Sequence, residues 1–460
     1  MKKYILCLLL IIVAYLQVGC DYEKDVVLND ATSGSSIGDD EEDAVDNQTW
    51  TSSIDIVWNG SSATVSGSVS GVSISNSNGY ITVTSAVDGV VYNVSGSGSG
   101  QLSIYSDYKF QLALNGLTLS CSNGPAINNQ CHEACYVVVS STNTLSDGSS
   151  YSSSSEDRKA AFFSEGQLCF SGSGTLNITG NYKHALASDD YIRLCSGMTA
   201  TLNLTAKVND GMHANDGILI EAGMLSVTAK DECVRTDDGA IEITGGTIIA
   251  ISQSEAIESK GTLTISGGQV YAQGSDDAIN SGGDLTISGG YVMAYSTGND
   301  GIDANGNCYI QGGLVYAIGA SSPEVAIDAN SEEQKQLYMQ GGTLVAIGGL
   351  ESGASLSQSC YSASSWSKST WYALTVGSNV FAFKTPSSGG TTLVVSGAST
   401  PTMTSGVTAS GTAIFNGMGY YPASVSGGSS VTLSSYSGGN SGGGPGGGGN
   451  PGGGGGPGGH

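Results

Sequence analysis

The sequence predicts an all-β protein whose central part, roughly Pro125 to Gly349, is a parallel β-helix with rungs of about 22 to 23 residues. The first observation is internal repetition. The runs GTLTISGGQVYAQGSDDAINS and GDLTISGGYVMAYSTGNDGIDAN, which begin at Gly261 and Gly283, match almost residue for residue. Self-similarity at such a period is typical of solenoids, in which each repeat is one structural unit.

The second observation is that aliphatic residues form columns when the repeats are aligned on their Gly-Gly pairs. These columns are Ile248, Val270, Val292, Val315 and Leu344; Ala250, Ala272, Ala294, Ala317 and Ala346; Ile265, Ile287, Ile310 and Met339; and Ile257, Ile279, Ile302 and Ile327. Polar residues alternate with them, as strands require. Because one rung cannot bury its own apolar side, stacking at about 4.8 Å must join the columns into one core. The predicted class is a single-stranded parallel β-helix.

The N-terminus, MKKYILCLLLIIVAYLQVGC, has the pattern of a secretory signal, with two lysines before an apolar run. Its last residues, Gly19 and Cys20, resemble a bacterial lipobox, although Gln17 stands where leucine is preferred. Cys20 would then carry the lipid, and the protein would be exported and anchored at the outer membrane or cell surface. Acids just after Cys20 resemble a surface-export signal of lipoproteins in the Bacteroides group. An ordinary cleaved signal peptide is the alternative.

Composition shifts divide the rest of the chain. We expect a signal peptide over 1–20, a disordered acidic tether over 21–50, and a β-rich module with the first rungs over 51–119. The β-helix should cover 120–354, and a β-rich C-terminal cap should cover 355–437. The cap is expected because an open end would expose strand edges. Residues 438–460 are a Gly-rich, low-complexity tail.

Charge and cysteine content narrow the function classes. The formal net charge of −25 disfavours nucleic-acid binding, which needs basic residues. Export would permit disulfides, and Cys121, Cys131 and Cys135 lie close enough in sequence to be the best candidates for a local bridge. Two further cysteines fall in core columns, which predicts packing roles for Cys233 and Cys308. No histidine stands at zinc-finger spacing from a cysteine pair.

The turn before the fourth column is rich in acids and predicts calcium binding. Rungs stack closely enough to place Asp303 and Asp328 about 5 Å apart, where carboxylates repel unless they share a proton or a cation. Several rungs add hard oxygen ligands of the kind that Ca²⁺ prefers. The candidate ligands are Glu255, Glu258, Asp276, Asp277, Asn280, Asp300, Asp303 and Asp328. The alternative is a solvated acidic edge in which Asp and Asn serve as turn formers.

A second outward column, Ile249, Tyr271, Met293, Tyr316 and Val345, predicts a candidate sugar-binding surface. Tyr291 and Tyr295 lie on the same face. Exposed aromatic rings can hold the flat apolar faces of sugars. The candidate carbohydrate-binding residues are Tyr271, Tyr291, Tyr295 and Tyr316. The alternative is that these rings stiffen the sheet or are covered by the C-terminal module.

Catalytic patterns are sparse in the sequence. Residues 51–437 contain no Gly-x-Ser-x-Gly elbow, and the sequence has no Walker loop or His-Glu-x-x-His motif. His184 and His213 fall in neighbouring rungs, two residues out of register, and we interpret them as turn residues. A lyase acting on uronates would need calcium and a base near the α-proton, for which Arg235 is the best candidate.

The runs NTLSDGSSY, AAFFSEGQLCFSGSGTLNITGNYKHALASDD and SDYKFQLALNGLTL, with the repeated DAI-type turns, resemble a known family. They are similar to the calcium-binding, polysaccharide-binding β-helix proteins known as carbohydrate-binding domain-containing proteins. The resemblance covers about residues 54 to 349. It implies a right-handed parallel β-helix of pectate-lyase-like shape that binds plant-type or acidic glycans outside the cell.

The same resemblance implies that calcium is held by the turn acids Asp277, Asp300, Asp303 and Asp328, with Glu255 and Glu258 as weaker ligands. Ala187, His213 and Arg235 replace acids in the earlier rungs, so calcium is expected toward residues 255 to 330. We therefore expect a monomeric, non-catalytic surface lipoprotein that binds polysaccharide. The alternatives are a structural stalk or adhesin with a protein or matrix partner, and a calcium-dependent polysaccharide lyase.

Overall fold

The computed structural model describes residues 45–438. The predicted signal peptide, lipidation site at Cys20 and Gly-rich tail lie outside that range, as does nearly all of the acidic tether. Helix is confined in the described residues to three short 3-10 turns, Val45–Asn47, Ser331–Glu333 and Phe415–Gly417. None of the described helices is long and apolar enough to cross a membrane.

The chain opens with strands that begin the stack. These are β1 (Ser52–Gly60), β2 (Ser62–Ser66), β3 (Val72–Ser77), β4 (Tyr80–Ser85), β5 (Val90–Ser99), β6 (Gln101–Ser106) and β7 (Phe110–Ser120). Two antiparallel hairpins, β1–β2 and β3–β4, form its first edge. Parallel pairing follows at once, between β1 and β5, between β5 and β7, and between β4 and β6. The parallel stack therefore begins well before Pro125.

From residue 127 onward each rung contributes strands to three parallel faces. Face 1 contains β8 (Ile127–Asn129), β11 (Ala160–Ser164), β14 (His184–Ser188), β17 (Met212–Ala214), β20 (Val234–Thr236), β23 (Ile257–Ser259), β26 (Ile279–Ser281) and β29 (Ile302–Ala304). Face 2 contains β9 (Cys135–Ser140), β12 (Leu168–Gly172), β15 (Tyr191–Leu194), β18 (Gly217–Ile220), β21 (Ala240–Ile243), β24 (Leu263–Ile265), β27 (Leu285–Ile287), β30 (Cys308–Ile310), β32 (Leu337–Met339) and β34 (Ser355–Leu356).

Face 3 completes each rung with a longer strand. It contains β10 (Thr142–Ser146), β13 (Thr175–Gly180), β16 (Thr201–Ala206), β19 (Met224–Ala229), β22 (Thr247–Ser252), β25 (Gln269–Gly274), β28 (Tyr291–Ser296), β31 (Leu314–Ile318) and β33 (Thr343–Ile347). Every strand of a face pairs in parallel with the strand one rung away, as between β25 and β28. The predicted parallel β-helix is confirmed.

The four predicted columns are the core of the helix. Val270 pairs with Ile248 on one side and Val292 on the other, and the alanine column keeps the same register. The isoleucines of face 1 align from Ile257 through Ile279 to Ile302, and a single bridge continues the column to Ile327. All four columns are at most 1% exposed, so aliphatic stacking between rungs stabilises the solenoid.

The cysteines have packing roles rather than covalent ones. All eight cysteines from Cys121 to Cys360 are free and buried. The proposed local bridge is therefore wrong, because the three thiols meet different partners. Cys121 Sγ contacts Asn123, Cys131 Sγ contacts the Tyr108 carbonyl, and Cys135 stands inside face 2. Cys308 pairs in register with Leu285 and Leu337, as predicted.

The C-terminal part is antiparallel and closes the stack. Its strands are β35 (Cys360–Ala363), β36 (Trp371–Val376), β37 (Asn379–Lys384), β38 (Leu393–Ser396), β39 (Thr402–Ser405), β40 (Thr408–Ile414), β41 (Gly419–Ser426), β42 (Ser429–Val431) and β43 (Ser434–Tyr436). Strand β38 pairs antiparallel with β33, the last strand of face 3, and so covers its open edge. Strands β36, β37 and β39 to β42 form a separate six-stranded sheet. The predicted β-rich cap is confirmed.

Candidate functional site

The predicted acidic turn forms one line along face 1. Glu258, Asn280 and Asp303 are paired in register on neighbouring strands. The residues just before each strand form a parallel line. We call the two lines together the acid ladder, which comprises Glu255, Asp277, Asn280, Asp300, Asp303 and Asp328.

Backbone and amide groups fix the two innermost acids. Asp277 Oδ1 accepts a hydrogen bond from the backbone N–H of Asp300 at 2.9 Å, and its Oδ2 accepts one from Asn280 Nδ2 at 3.1 Å. Asp300 Oδ1 accepts from the N–H of Val325 at 2.5 Å. Both carboxyl groups are at least nine-tenths buried. Each acid thus holds the next rung in register while its charge lies away from water.

Burial and mutual repulsion make these carboxyls weak acids. Burial and then the charge of Asp303 raise the pKa of Asp277 to about 9. Burial raises the pKa of Asp300 to about 8, with Asp303 and Glu324 adding to the effect. Burial also raises the pKa of Asp303 to about 6, and burial together with Glu351 raises the pKa of Asp328 to about 10. Without a cation, Asp277, Asp300 and Asp328 favour their protonated forms at neutral pH, whereas Asp303 is largely ionised.

The donor set of the acid ladder fits a hard cation. It offers carboxylate and amide oxygens from successive rungs, and a divalent cation would replace the protons that the raised pKa values imply. Two oxygens, on Asp277 and Asp300, are already engaged by backbone N–H groups. Among the described residues, 45–438, the groups of three Asp, Glu, His or Cys side chains whose ligand atoms lie within 4.8 Å of one another occur outside the acid ladder. In the acid ladder, amide or backbone oxygens would therefore have to complete the coordination shell of a calcium ion.

Two of the predicted calcium ligands, Glu258 and Asp276, contact other side chains instead of lying inside the acid ladder. Glu258 is buried and its carboxylate contacts Arg235 Nη1 at 3.3 Å and the ammonium group of Lys260. Its charge is therefore already balanced by two basic side chains, and we remove it from the ligand set. Asp276 is exposed, and its Oδ1 accepts a hydrogen bond from Asn299 at 2.8 Å. Asp276 lies at the rim of the acid ladder rather than inside it.

Arg235 cannot serve as the base proposed for a lyase. Its guanidinium group lies 3.3 Å from Glu232, 3.3 Å from Glu258 and 3.2 Å from Asp237. Burial opposes its charge, but the surrounding carboxylates, Glu258 first, raise the pKa of Arg235 further above its ordinary value. A guanidinium held among three acids stays protonated. The role of Arg235 is to neutralise buried acids between rungs.

The earlier rungs contain the tightest group of ligating side chains. His184, Asp210 and His213 place one ligand atom each within 4.8 Å of one another, and so do Asp210, Asp231 and Glu232. The register pairs His213 with Ala187, three positions from His184 rather than two. The two imidazole rings nevertheless stack with centroids 4.3 Å apart. We call His184, Asp210 and His213 the His–Asp cluster.

The His–Asp cluster has strongly perturbed protonation. Burial alone would raise the pKa of Asp210, but hydrogen bonds from His184 and His213 lower it well below the ordinary value. Burial lowers the pKa of His184. Burial opposes the charge of His213, whereas Asp210 and Asp237 raise its pKa. Burial and then Asp210 raise the pKa of Glu232 to about 9.

The predicted tyrosine surface is largely covered. The C-terminal sheet packs over the outward side of face 3, where Tyr316 is fully buried and Tyr271 is 6% exposed. Tyr316 Oη donates a hydrogen bond to the carbonyl of Lys384 at 3.0 Å, and its ring contacts Phe383 edge-on. The prediction that Tyr271 and Tyr316 bind sugar is therefore wrong, and the alternative of coverage by the C-terminal module is confirmed for these two residues. Tyr295 is partly buried at the margin of the same contact.

Tyr291 remains open and flanks a groove. It is 37% exposed, and its ring meets Tyr421 of the C-terminal module edge-on at 5.6 Å. The groove has a volume of about 810 Å³. We call it the tyrosine groove, and its lining is Gly246, Gly267, Gly268, Gln269, Gly290, Tyr291, Gly313, Leu314, Thr343, Thr412, Ala413, Ile414 and Tyr421.

Repeated glycines make the floor of the tyrosine groove. Gly246, Gly268, Gly290 and Gly313 occupy successive rungs with φ of 75°. A Cβ at Gly268 would lie 2.5 Å from the carbonyl oxygen of Gly245, so the stacked turns accept glycine for both conformation and space. The result is a bare backbone floor about 14 Å long at a spacing of about 4.8 Å per rung.

A second aromatic pair lies on face 2. Tyr309 and Tyr338 stand outward on β30 and β32, paired in register. Their rings stack with centroids 5.0 Å apart and an interplanar angle of 10°. Both are partly exposed. Sequence reasoning missed this pair, although the column that holds Thr264 and Thr286 in earlier rungs leads to it. It also missed Tyr421, which only the docking of the C-terminal module brings to face 3.

The chain matches one protein-family model and is similar to a solved structure. The family model of carbohydrate-binding domain-containing proteins matches residues 77–324, more than half of the chain. Among solved structures, the chain is similar to one described as the polysaccharide lyase-like protein from C. thermocellum, gadolinium derivative. The two share 18% sequence identity with a TM-score of 0.39, over 60% of this chain and 99% of that one. No curated protein matches.

Proposed function

The chain belongs to the carbohydrate-binding domain-containing protein family, and from that premise we propose that it binds polysaccharide in the tyrosine groove without cleaving it. The observation that carries the proposal is the groove itself, an open furrow across five rungs with Tyr291 and Tyr421 on its side. An aromatic ring can cover the apolar face of a sugar, while the bare glycine floor lets a polymer approach the backbone.

The lining of the tyrosine groove favours a neutral, plant-type glycan over an acidic one. None of its lining residues carries a charge. Gln269, Thr343 and Thr412 supply hydrogen-bonding groups, which suit the hydroxyl groups of a sugar. The net charge of −25 repels a polyanion further, unless cations intervene.

Calcium has a supporting role in this proposal. The acid ladder and the tyrosine groove belong to the same rungs, since Asp277 lies just before β26, while Tyr291 begins β28 of the same rung. One or more calcium ions held among Asp277, Asn280, Asp300, Asp303 and Asp328 would relieve repulsion between buried carboxyls and hold the rungs that form the groove floor. Glu255 is partly buried beside Ser254 and completes the candidate set.

The location proposed for the protein is the cell surface. The leader and Cys20 would supply a lipid anchor after export, and the polar segment after Cys20 would act as a spacer. A β-helix carried in this way presents its long sides to external polymers. Metabolic labelling with a palmitate analogue, lost in a Cys20→Ala variant, tests the anchor.

The binding proposal is tested by affinity electrophoresis in gels that contain a neutral β-glucan or polygalacturonate. We expect retardation by the neutral polymer, and Tyr291→Ala should weaken it about tenfold, equivalent to about 1.4 kcal/mol. Tyr108→Ala is the matched control, because Tyr108 is also exposed, at 46%, but lies outside the groove. Equal retardation of the two variants contradicts the groove assignment.

The non-catalytic part of the proposal has a separate readout. Release of unsaturated uronate products from polygalacturonate raises ultraviolet absorbance. We expect no rise with calcium present, and a rise would show that the chain is a lyase. If binding instead goes to a protein or matrix partner with no glycan signal, the adhesin alternative replaces our proposal.

A further inference from the structure

The His–Asp cluster lies on face 1 in rungs before those of the acid ladder, and it shares no residue with the tyrosine groove. His184 begins β14, Asp210 lies in the turn before β17, and His213 is in the middle of β17. All three side chains are buried, with exposed fractions of 6%, 2% and 5%. Two adjacent rungs therefore bring two imidazoles and one carboxylate together in a site that water scarcely reaches.

His184 presents a lone pair to Asp210. Its Nδ1 lies 3.3 Å from the backbone N–H of Asp210, from which it can accept a hydrogen bond. In that tautomer the ring proton is on Nε2, and the lone pair on Nδ1 lies 3.2 Å from Asp210 Oδ2. Two lone pairs at this distance repel unless a proton or a cation lies between them.

His213 approaches the same oxygen, where a metal ion would replace the proton that Nδ1 can share with it. Its Nε2 lies 3.2 Å from Asp237 Oδ2, to which it can donate, and its Nδ1 lies 2.8 Å from Asp210 Oδ2. A carboxylate that accepts from the outer nitrogen of an imidazole leaves the inner nitrogen free for a metal and fixes the ring. This arrangement is common among histidines that bind zinc.

Asp210 has a second unsatisfied atom. Its Oδ1 is buried and receives no hydrogen bond, although buried polar atoms are rarely left without a partner. The carboxylates of Asp231 and Glu232 each place an oxygen within 4.8 Å of Asp210. Asp210 Oδ1 therefore lies buried among further acids without a donor, a position that a cation would fill.

We propose that His184, His213 and Asp210 bind one divalent transition-metal ion of the Zn²⁺ class, with Asp237 orienting His213. The separation of 3.2 Å between His184 Nδ1 and Asp210 Oδ2 lies within the roughly 2.9–3.4 Å expected between ligands that share a zinc ion at about 2.0–2.1 Å, and the 2.8 Å from His213 Nδ1 is slightly shorter. Imidazole nitrogen favours zinc and its neighbours, whereas calcium takes oxygen ligands. Glu232 or water would complete the coordination.

Such an ion would join two rungs. His184 belongs to the rung of β14 and His213 to the rung of β17, so one metal would bind both strands of face 1 to the same turn. The chemistry is structural rather than catalytic, since all three ligands are buried. Asp237, 40% exposed at its side chain, marks the side from which the ion can enter.

Titration of the chelator-treated protein with Co²⁺ tests the proposal, because a bound Co²⁺ ion reports its ligands by visible absorption. We expect saturation at one equivalent, displacement by Zn²⁺, and no displacement by excess Ca²⁺. His213→Gln should abolish the saturable signal, and Asp237→Asn should weaken Co²⁺ binding about 10- to 100-fold. His132→Gln is the matched control, because His132 is exposed and outside the cluster.

Several outcomes overturn the site. They are an absence of saturable one-to-one Co²⁺ binding to the wild-type chain, displacement of Co²⁺ by calcium, or equal binding by His213→Gln and His132→Gln. Circular dichroism verifies that His213→Gln is folded. If it is not, the exposed position of Asp237 makes Asp237→Asn the deciding variant. Wild-type affinity in Asp237→Asn then refutes the assignment, whatever the outcome of the glycan experiments.

Discussion

Asp300 offers the sharpest test of the electrostatics of the acid ladder. Its carboxyl is 9% exposed, and burial raises its pKa from 3.8 to about 8. Asparagine has the same shape, carries no charge, and can still accept the hydrogen bond that Oδ1 receives from Val325. The substitution Asp300→Asn therefore removes the titration while it keeps the contact between rungs.

The direction in which stability changes with pH follows from the number of protons that the folded and unfolded states bind. Between pH 3.8 and about 8 the folded protein keeps the Asp300 proton and the unfolded chain has lost it. The unfolded state binds fewer protons, so the free energy of unfolding falls as pH rises, by about 1.4 kcal/mol per unit for one group. The contribution is complete below pH 3.8 and is lost by about pH 8. At pH 7 the resulting loss in the free energy of unfolding approaches about 4 kcal/mol, and Asp300→Asn should remove this loss.

Urea denaturation in a calcium chelator at pH 5 and pH 7 measures this. We expect the wild-type protein to lose stability from pH 5 to pH 7, and Asp300→Asn to lose less and to be the more stable at pH 7. Asp276→Asn is the matched control, because Asp276 is exposed on a neighbouring turn. With calcium the order should reverse, since the variant replaces a charged carboxylate ligand by a neutral, weaker amide. Wild-type stability that rises over this interval without calcium refutes the reasoning.

Three further substitutions test the packing. Gly268→Ala should destabilise the fold by about 1–3 kcal/mol more than Gly406→Ala, because both have positive φ of similar size but only the Gly268 Cβ would meet backbone; equal losses in urea denaturation contradict the stacked-turn account. Tyr316→Phe should cost about 1–2 kcal/mol through the lost bond to Lys384 and leave glycan affinity unchanged; weaker retardation in affinity gels would restore Tyr316 as a sugar ligand. Arg235→Met should lower the free energy of unfolding by about 3–5 kcal/mol, because Glu232 and Glu258 would stay buried without their basic partner. Lys207→Met, at an exposed position, should change it little, and similar urea midpoints for the two variants would exclude the neutralising role of Arg235.

The sequence was informative wherever a residue repeats. The columns through Val270, Ala272, Ile279 and Ile265 specify both the period and the inward direction, because a shift by one residue would turn every apolar side chain outward. The same alignment placed Cys308 among leucines and Asn280 beside Asp303. Stacking alone determines these neighbours, so local periodicity was enough.

The sequence was weakest where distant segments meet. Tyr271 and Tyr316 point outward from the helix, as their column required, but the C-terminal sheet covers them. No period relates that sheet to the rungs, so the loss of the sugar surface was one of two open alternatives. The contact between Tyr291 and Tyr421 depends on the same docking.

Side-chain partners inside the turns were also beyond the sequence. Alignment placed Glu258 among the acids, but the reach of Arg235 and Lys260 decides that its charge is neutralised. Likewise, His184 and His213 are three positions out of register, and only the path of the turn stacks their rings. Long side chains and irregular turns carry little periodic signal.

The central claim, that this β-helix binds a neutral polysaccharide in the tyrosine groove, is tested most directly by a glycan array probed with the wild-type chain, with calcium and with a chelator. We predict binding to neutral plant-type polysaccharides, weaker in the chelator because the rungs beneath the groove loosen. An array with no bound polysaccharide in the presence of calcium would contradict the claim.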